Sequence, residues 1–138
     1  VLAARDAQAQ GFDEALFLNT AGRIACAGTG NVFAVLGETL VTPPLSEGVL
    51  PGIVRAEILS NLAPGLGLTV EERPLPPSEL EAAEALFVTN SLRLLAPVTA
   101  LGARAYGSAG HGTVRRLGAA LREAVAAQCG VGVDALDP

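Results

Sequence analysis

The apolar residues of the chain fall into two rhythms. Up to Thr42 they come in short runs bounded by Gly, Asn, Asp and Pro, as strands do. From Ile53 onward many recur every three or four positions, as on the buried face of a helix. Residues 1–10 read as the end of a helix, with Gly11 just past the cap, where a left-handed backbone is cheap. Strands are predicted over 14–19 and 23–26, joined by an Ala21-Gly22 turn. Gly28-Thr29-Gly30 interrupts the second as a bend or bulge, and 31–36 resumes it. Gly37-Glu38 makes a two-residue hairpin turn into 39–42, which Pro43-Pro44 ends because proline cannot donate to a ladder.

Beyond Leu50-Pro51-Gly52, the spacing of Val54, Ile58 and Leu62 predicts a helix over 53–63, stopped by Pro64-Gly65. A short strand follows over 69–75. Ser78-Glu79-Leu80-Glu81 has the capping-box pattern of a short helix reaching about Ala85. A buried strand covers 86–90, and another covers 94–98 and ends near Gly102. Thr113 is the expected cap of a last helix, with Val114, Leu117, Leu121 and Val125 on one face, and 131–138 the expected loose tail. The first four strands read as a meander, and the later ones as each separated by a helix. The fold class is therefore α/β of the mixed α+β kind: one domain built on a mixed sheet, open or curled.

Composition narrows the function. A length of 138 residues suits one domain with a real core, and half of them apolar with only 17% charged excludes a disordered tail. No apolar run reaches the roughly 18 to 20 residues of a membrane span. Nine basic against fourteen acidic residues, net −5, argue against nucleic acid or an anionic membrane as partner. Cys26 and Cys129 are too few for a disulfide scaffold, which fits a cytoplasmic protein, and the first residues lack the apolar core of a secretory signal. There is no Met and no Lys. The chain is thus expected to be part of a longer protein, and chemistry that needs a lysine amine is closed to it alone. His111 is the single histidine, so no Cys/His metal cluster is expected.

Several strings, taken in order, resemble a known family. They are Gly11-Phe12-Asp13-Glu14-Ala15-Leu16-Phe17-Leu18-Asn19, Gly22-Arg23-Ile24, Asn31-Val32-Phe33, Thr42-Pro43-Pro44-Leu45, Leu50-Pro51-Gly52-Ile53-Val54-Arg55, Glu72-Arg73-Pro74-Leu75, Phe87-Val88-Thr89-Asn90-Ser91-Leu92-Arg93 and Pro97-Val98. Together they resemble the class IV (fold-type IV) pyridoxal 5'-phosphate enzymes: branched-chain and D-amino-acid aminotransferases and aminodeoxychorismate lyase. The Thr89–Arg93 string is more similar to the lyase and D-amino-acid branch. The resemblance implies that 1–138 is the C-terminal, cofactor-carrying domain, a sheet curled into a pseudo-barrel with helices outside. It also implies a homodimeric parent acting on a small amino-acid-like substrate, completed by a small N-terminal domain.

The implied cofactor residues follow one by one. The N–H groups of Ile53 and Val54 would form the phosphate cup, as a helix start suits an anion, with Gly52 allowing close backbone approach. Leu50 would pack on the pyridine face and Ser91 would donate its hydroxyl to the phosphate. Asn90, Leu92 (through its N–H) and Arg93 would face the substrate. Read alone, each has a plainer account: a Pro-Gly helix start, a core leucine, a turn serine, a surface arginine. Two departures stand out. The family's Schiff-base lysine would precede Val1, so no catalytic residue is assigned here. Cys26 stands where the family has a glutamate that pairs with the pyridine nitrogen, and a thiol of pKa about 8.5 is a poor substitute. Cys26 is equally readable as an inert core cysteine.

The remaining motifs are weaker. Gly28-x-Gly30 leads to a strand, so it is no dinucleotide fingerprint, and Gly107-Ser108-Ala109-Gly110-His111-Gly112 lacks the lysine of a P-loop. Three functions remain open: a pyridoxal-phosphate aminotransferase or lyase, a degenerate relative serving as a binding or structural module, and an unrelated phosphate-binding domain.

Overall fold

The structure, a computed structural model, describes residues 2–130 and 132. The tail expected over 131–138 lies outside the described residues except for Gly132. The first helix, α1 (Leu2–Ala9), ends as its sequence predicts. Gly11 adopts φ +86°, the Gly11 N–H meets the Gln8 carbonyl at 3.0 Å, and the Phe12 N–H reaches back to Ala7 at 2.8 Å.

A five-stranded sheet is the frame. Its order is β5-β4-β3-β6-β7, from β3 (Asn31–Leu36), β4 (Thr39–Thr42), β5 (Thr69–Glu72), β6 (Ala85–Asn90) and β7 (Leu94–Pro97). Only β4 and β5 run parallel, so the sheet is mixed. The central strand β3 is buried on both faces, which is why its sequence reads as continuous rather than alternating. Phe33 and Val35 face one cluster with Val54, Ile58, Leu117 and Leu121, while Val32 and Ala34 face another with Ile24, Leu75, Leu80 and Tyr106. Phe33 and Phe87 lie opposite each other across β3 and β6, their rings stacked 4.9 Å apart.

The expected meander is divided. β1 (Leu16–Leu18) and β2 (Ile24–Ala27) form their own ribbon, which turns into β3 through an Ala27–Gly30 bridge. β1 is shorter than expected because Glu14 is diverted, its carboxylate accepting from the Thr29 N–H at 2.6 Å and hydroxyl at 3.0 Å. Nor does a helix separate β6 from β7, which form a tight antiparallel hairpin. The strand expected to run to Gly102 breaks at Pro97, after which β8 (Ala100–Leu101) and β9 (Arg104–Ala105) make a small hairpin.

Three helix boundaries also differ. The helix predicted to stop at Pro64 continues to Gly65: α2 (Ile53–Glu57) passes through a π turn (Ile58–Leu62) into α3 (Ala63–Gly65). The wider turn just before Pro64 tolerates its ring and missing N–H. The short helix α4 (Pro77–Ala82) has no side-chain cap, since Pro76 occupies that position and Glu79 turns to Arg73 at 3.0 Å instead. The last helix, α5 (Gly112–Cys129), is capped not by Thr113 but by His111, whose Nδ1 accepts the Thr113 N–H at 3.3 Å. His111 Nε2 also meets Glu84 at 2.9 Å, so it is a pinned helix cap rather than a bare surface residue.

Candidate functional site

One cavity of about 470 Å³ opens where β2, the start of α2 and the end of β6 meet. Cys26, Leu50, Gly52, Ile53, Val54, Asn90 and Ser91 all line it, which brings together seven of the nine positions the sequence nominated. Among the described residues lining it there is no charged side chain. An anion entering here meets neutral donors.

The helix start is held from β3. Asn31 is buried, and its amide donates to the Leu50 carbonyl at 2.9 Å, fixing the Leu50-Pro51-Gly52 turn. A Cβ on Gly52 would sit 2.1 Å from Asn31 Oδ1, so only glycine permits this approach. Gly30 is equally confined, with the Thr89 carbonyl 2.2 Å from where its Cβ would be. No side chain caps α2, and Ala56 returns its N–H to the Gly52 carbonyl at 3.0 Å. The first-turn N–H groups of Ile53 and Val54 therefore have no partner within the helix. On the far side of the turn the buried Arg55 binds the Pro43 carbonyl at 3.2 Å and Glu72 at 2.6 Å, locking α2 to the sheet.

The loop that delivers Leu50 has its own anchor. Glu47 is buried and takes two bonds from Arg23, at 2.5 and 2.8 Å, and one from Asn19 at 3.0 Å. The Arg23 guanidinium holds the Glu47 carboxyl below the usual carboxylate range. Leu50 itself is 77% exposed and Ile53 79% exposed, forming an apolar rim rather than core.

Cys26 is half-buried on β2, opposite Phe17 of β1. Burial pushes its thiol pKa up, so at neutral pH the cavity holds an uncharged S–H at this point.

Two nominated residues fall elsewhere. Leu92 is 92% exposed, and its N–H, assigned to a substrate carboxylate, is taken by Asn90 Oδ1 at 3.0 Å; the Arg93 N–H goes to the same oxygen at 2.7 Å. Asn90 thus spends its carbonyl on the turn between β6 and β7. Arg93 lines two neighbouring cavities, not this one. Sequence reasoning missed Asn31 as the brace of the helix start. The signal for Asn31 was available: an amide opening a strand that is otherwise apolar throughout.

The residues present fit the phosphate end of pyridoxal phosphate. Unpartnered N–H groups, a serine hydroxyl and a glycine approach that a Cβ would fill all open on one uncharged cavity. At Cys26 they offer a neutral thiol and no carboxylate.

A mixed sheet with both faces covered and a helix start aimed into a cavity at its edge make an α/β domain with a candidate small-ligand site. The sequence matches the family described as amino-transferase class IV over residues 1–101, and the chain belongs to that family. It is 33% identical over 115 residues to a protein of Aquifex aeolicus described as a probable branched-chain-amino-acid aminotransferase, covering 83% of this chain and 37% of that protein. Among solved structures, the holo, PLP-form branched-chain aminotransferase of Thermobaculum terrenum matches at TM-score 0.85 and 31% identity, covering 90% of this chain and 41% of the other. A Legionella pneumophila structure described as a "putative 4-amino-4-deoxychorismate lyase" matches at TM-score 0.84 and 33% identity, over 88% of this chain and 45% of the other. The chain thus spans about 37–45% of the length of these relatives. Among the described residues no helix is long and apolar enough to cross a membrane.

Proposed function

We propose that this chain is the cofactor-binding domain of a pyridoxal-phosphate-dependent class IV aminotransferase or lyase acting on amino-acid-like substrates. The convergence of Ile53, Val54, Ser91 and Cys26 on one cavity without charged side chains carries the reading. When bound, the cofactor supplies an electron sink for the carbon bearing the substrate amino group. The Ile53 and Val54 N–H groups and the Ser91 hydroxyl would hold its phosphate. Leu50 would offer an aliphatic wall to the ring, and Asn31 keeps the helix start in place. Cys26 Sγ–H keeps its proton at neutral pH and provides no negative charge to hold a proton on the ring. The chain contains no lysine, so the amine that would bind the cofactor covalently comes from outside it. Two free cysteines fit a cytoplasmic setting, and the exposed rim of Leu50, Ile53 and Leu92 fits a surface covered in a homodimer or by a further domain.

A second reading, a non-catalytic family member, is favoured by the neutral thiol at Cys26. One titration separates them from each other and from chance. Pyridoxal phosphate and pyridoxal, which lacks the phosphate, are titrated into the intact protein by absorbance, beside Ser91→Ala. A phosphate cup predicts that Ser91→Ala weakens pyridoxal phosphate by about tenfold, from a hydrogen bond to a charged group worth about 1.5 kcal/mol or more, and leaves pyridoxal unchanged. Equal effects on both ligands reject the cup. In a longer protein that supplies the missing amine, tight binding without amino-group transfer from any of a panel of amino acids selects the non-catalytic reading.

A further inference from the structure

The cavity that gathers the nominated residues is walled on one side by a single run of chain, 26–31, every residue of which lines it. This run is where β2 turns into β3. The Ala27 N–H meets the Gly30 carbonyl at 2.9 Å, so Gly28 and Thr29 are the two central residues of a tight hairpin turn. Such turns favour positive φ at one or both central positions, because only then does the turn follow the twist of its strands. Neither Gly28 nor Thr29 has a positive φ. The turn therefore has the less favoured backbone, and bonds from outside must hold it.

Those bonds come from the segment that leads into β1. The Glu14 carboxylate accepts the Thr29 N–H at 2.6 Å and the Thr29 hydroxyl at 3.0 Å, and the Ala15 carbonyl accepts the Gly28 N–H at 2.9 Å. Hydrogen bonds to a charged acceptor are about twice as strong as neutral ones. A Cβ on Gly28 would lie 3.2 Å from Glu14 Oε1, so glycine lets the carboxylate come up against the turn. From the other side the Thr89 carbonyl confines Gly30. Glu14 itself does not line this cavity. It lines a neighbouring one of about 300 Å³, and Thr29 and Asn90 line both, forming the partition between them. Glu14 grips that partition from behind and keeps its own charge out of the uncharged cavity.

We propose that Glu14 is a positioning residue, which sets the 26–31 wall of the candidate cofactor cavity through Thr29 and touches no ligand itself. The identity of the ligand rests on the cofactor reading; the hold of Glu14 on Thr29 does not. Hydrogen bonding rather than charge carries the effect, since the carboxylate faces the other cavity. Glutamine can therefore replace it, its amide accepting the Thr29 N–H and donating to the Thr29 hydroxyl. Alanine offers neither bond, and aspartate is a methylene too short to keep them.

Two measurements on the intact protein test it, with Glu14→Ala, Glu14→Asp and Glu14→Gln. Without ligand, hydrogen exchange read by mass spectrometry is expected to run about tenfold faster at Gly28 and Thr29 in the Ala and Asp variants. Exchange over 32–36 should be unchanged, and Glu14→Gln should match the parent. Unchanged exchange at Gly28 and Thr29 overturns the proposal, whether or not any cofactor binds. With ligand, pyridoxal phosphate and pyridoxal are titrated by absorbance. Glu14→Ala is expected to weaken both by about fivefold or more, in contrast to Ser91→Ala, which acts on pyridoxal phosphate alone. At saturation the circular dichroism band of bound pyridoxal phosphate, which reports the surroundings of its ring, should change in Glu14→Ala and be kept in Glu14→Gln. Lost stability alone would lower affinity and leave that saturated band as it was, and this result overturns the proposal. So does a Glu14→Gln protein as impaired as Glu14→Ala, since charge would then be what matters. A parent that binds neither ligand rejects the cofactor reading, and the exchange result then decides the role of Glu14 on its own.

Discussion

Replacing Gly52 by alanine tests how the helix start is held. At φ −65° and ψ 142° any residue is comfortable, so on backbone grounds alone alanine would stabilise the fold by about 0.4 to 1 kcal/mol through a less flexible unfolded chain. The structure predicts the opposite sign. The new Cβ would lie 2.1 Å from Asn31 Oδ1 and 3.3 Å from its Cγ, and Asn31 is buried with its amide committed to Leu50. Relief requires Asn31 to move, which loses a hydrogen bond worth about 1 kcal/mol and adds about 1 to 3 kcal/mol of overpacking. The expected net destabilisation is about 2 to 3 kcal/mol, close to 10 °C in Tm for a domain of this size. Asn31→Ala alone should cost about 1 to 2 kcal/mol. The double variant should then be less damaged than the two singles combined, by about 1 kcal/mol or more, because the obstacle is gone. Urea denaturation of all four proteins measures this cycle. A Gly52→Ala protein as stable as the parent, or strictly additive effects, would refute the brace.

Other expectations follow from charge and capping. Glu47 has its folded pKa below the ordinary value, so its pairing contributes full stability above the usual carboxylate range and loses it as pH falls through the folded value. The urea midpoint gap between the parent and Glu47→Gln should therefore be widest near pH 7 and close toward pH 3; a gap that widens in acid contradicts the assignment. Cys129 is exposed whereas burial raises the Cys26 thiol pKa, so iodoacetamide at pH 7.5 should label Cys129 first, read by peptide mass. His111→Ala should cost about 0.5 to 2 kcal/mol by uncapping α5, and His111→Asn should restore most of it. Equal loss from both variants would show that the Glu84 contact, not the cap, is what matters.

The parts legible in the sequence are those fixed by short-range physics or by burial on both faces. The run from Asn31 to Leu36 announced a central strand because it is apolar throughout, and Gly11 announced a helix end because only a left-handed residue closes that turn. Seven nominated residues share one cavity because the Leu50-Pro51-Gly52 turn fixes where α2 begins. What escaped was competition between neighbours. His111 and Thr113 both suit a cap, and only the position of Glu84 decides for His111. For Arg93 the sequence leaves substrate contact and a plain surface position both open, and the structure sets it on two cavities beside the candidate site, after the turn whose N–H groups Asn90 gathers. Side-chain direction at a turn depends on backbone angles that composition does not encode.

The strand pairing that frames the candidate site has a bearing on how the molecule assembles. Asn31 and Thr89 are register partners about 60 residues apart in sequence, whereas β3 and β4 meet through a two-residue turn. Closing the longer loop carries the larger entropic cost, so the seam between β3 and β6 is expected to zip after the local hairpin has formed. The cavity straddles that seam, with Asn31 on one lip and Asn90 and Ser91 on the other. A chain with the hairpin but not the seam has only one lip of the cavity. A ligand that bridged the lips would bind only the finished fold and would draw partly zipped chains toward it.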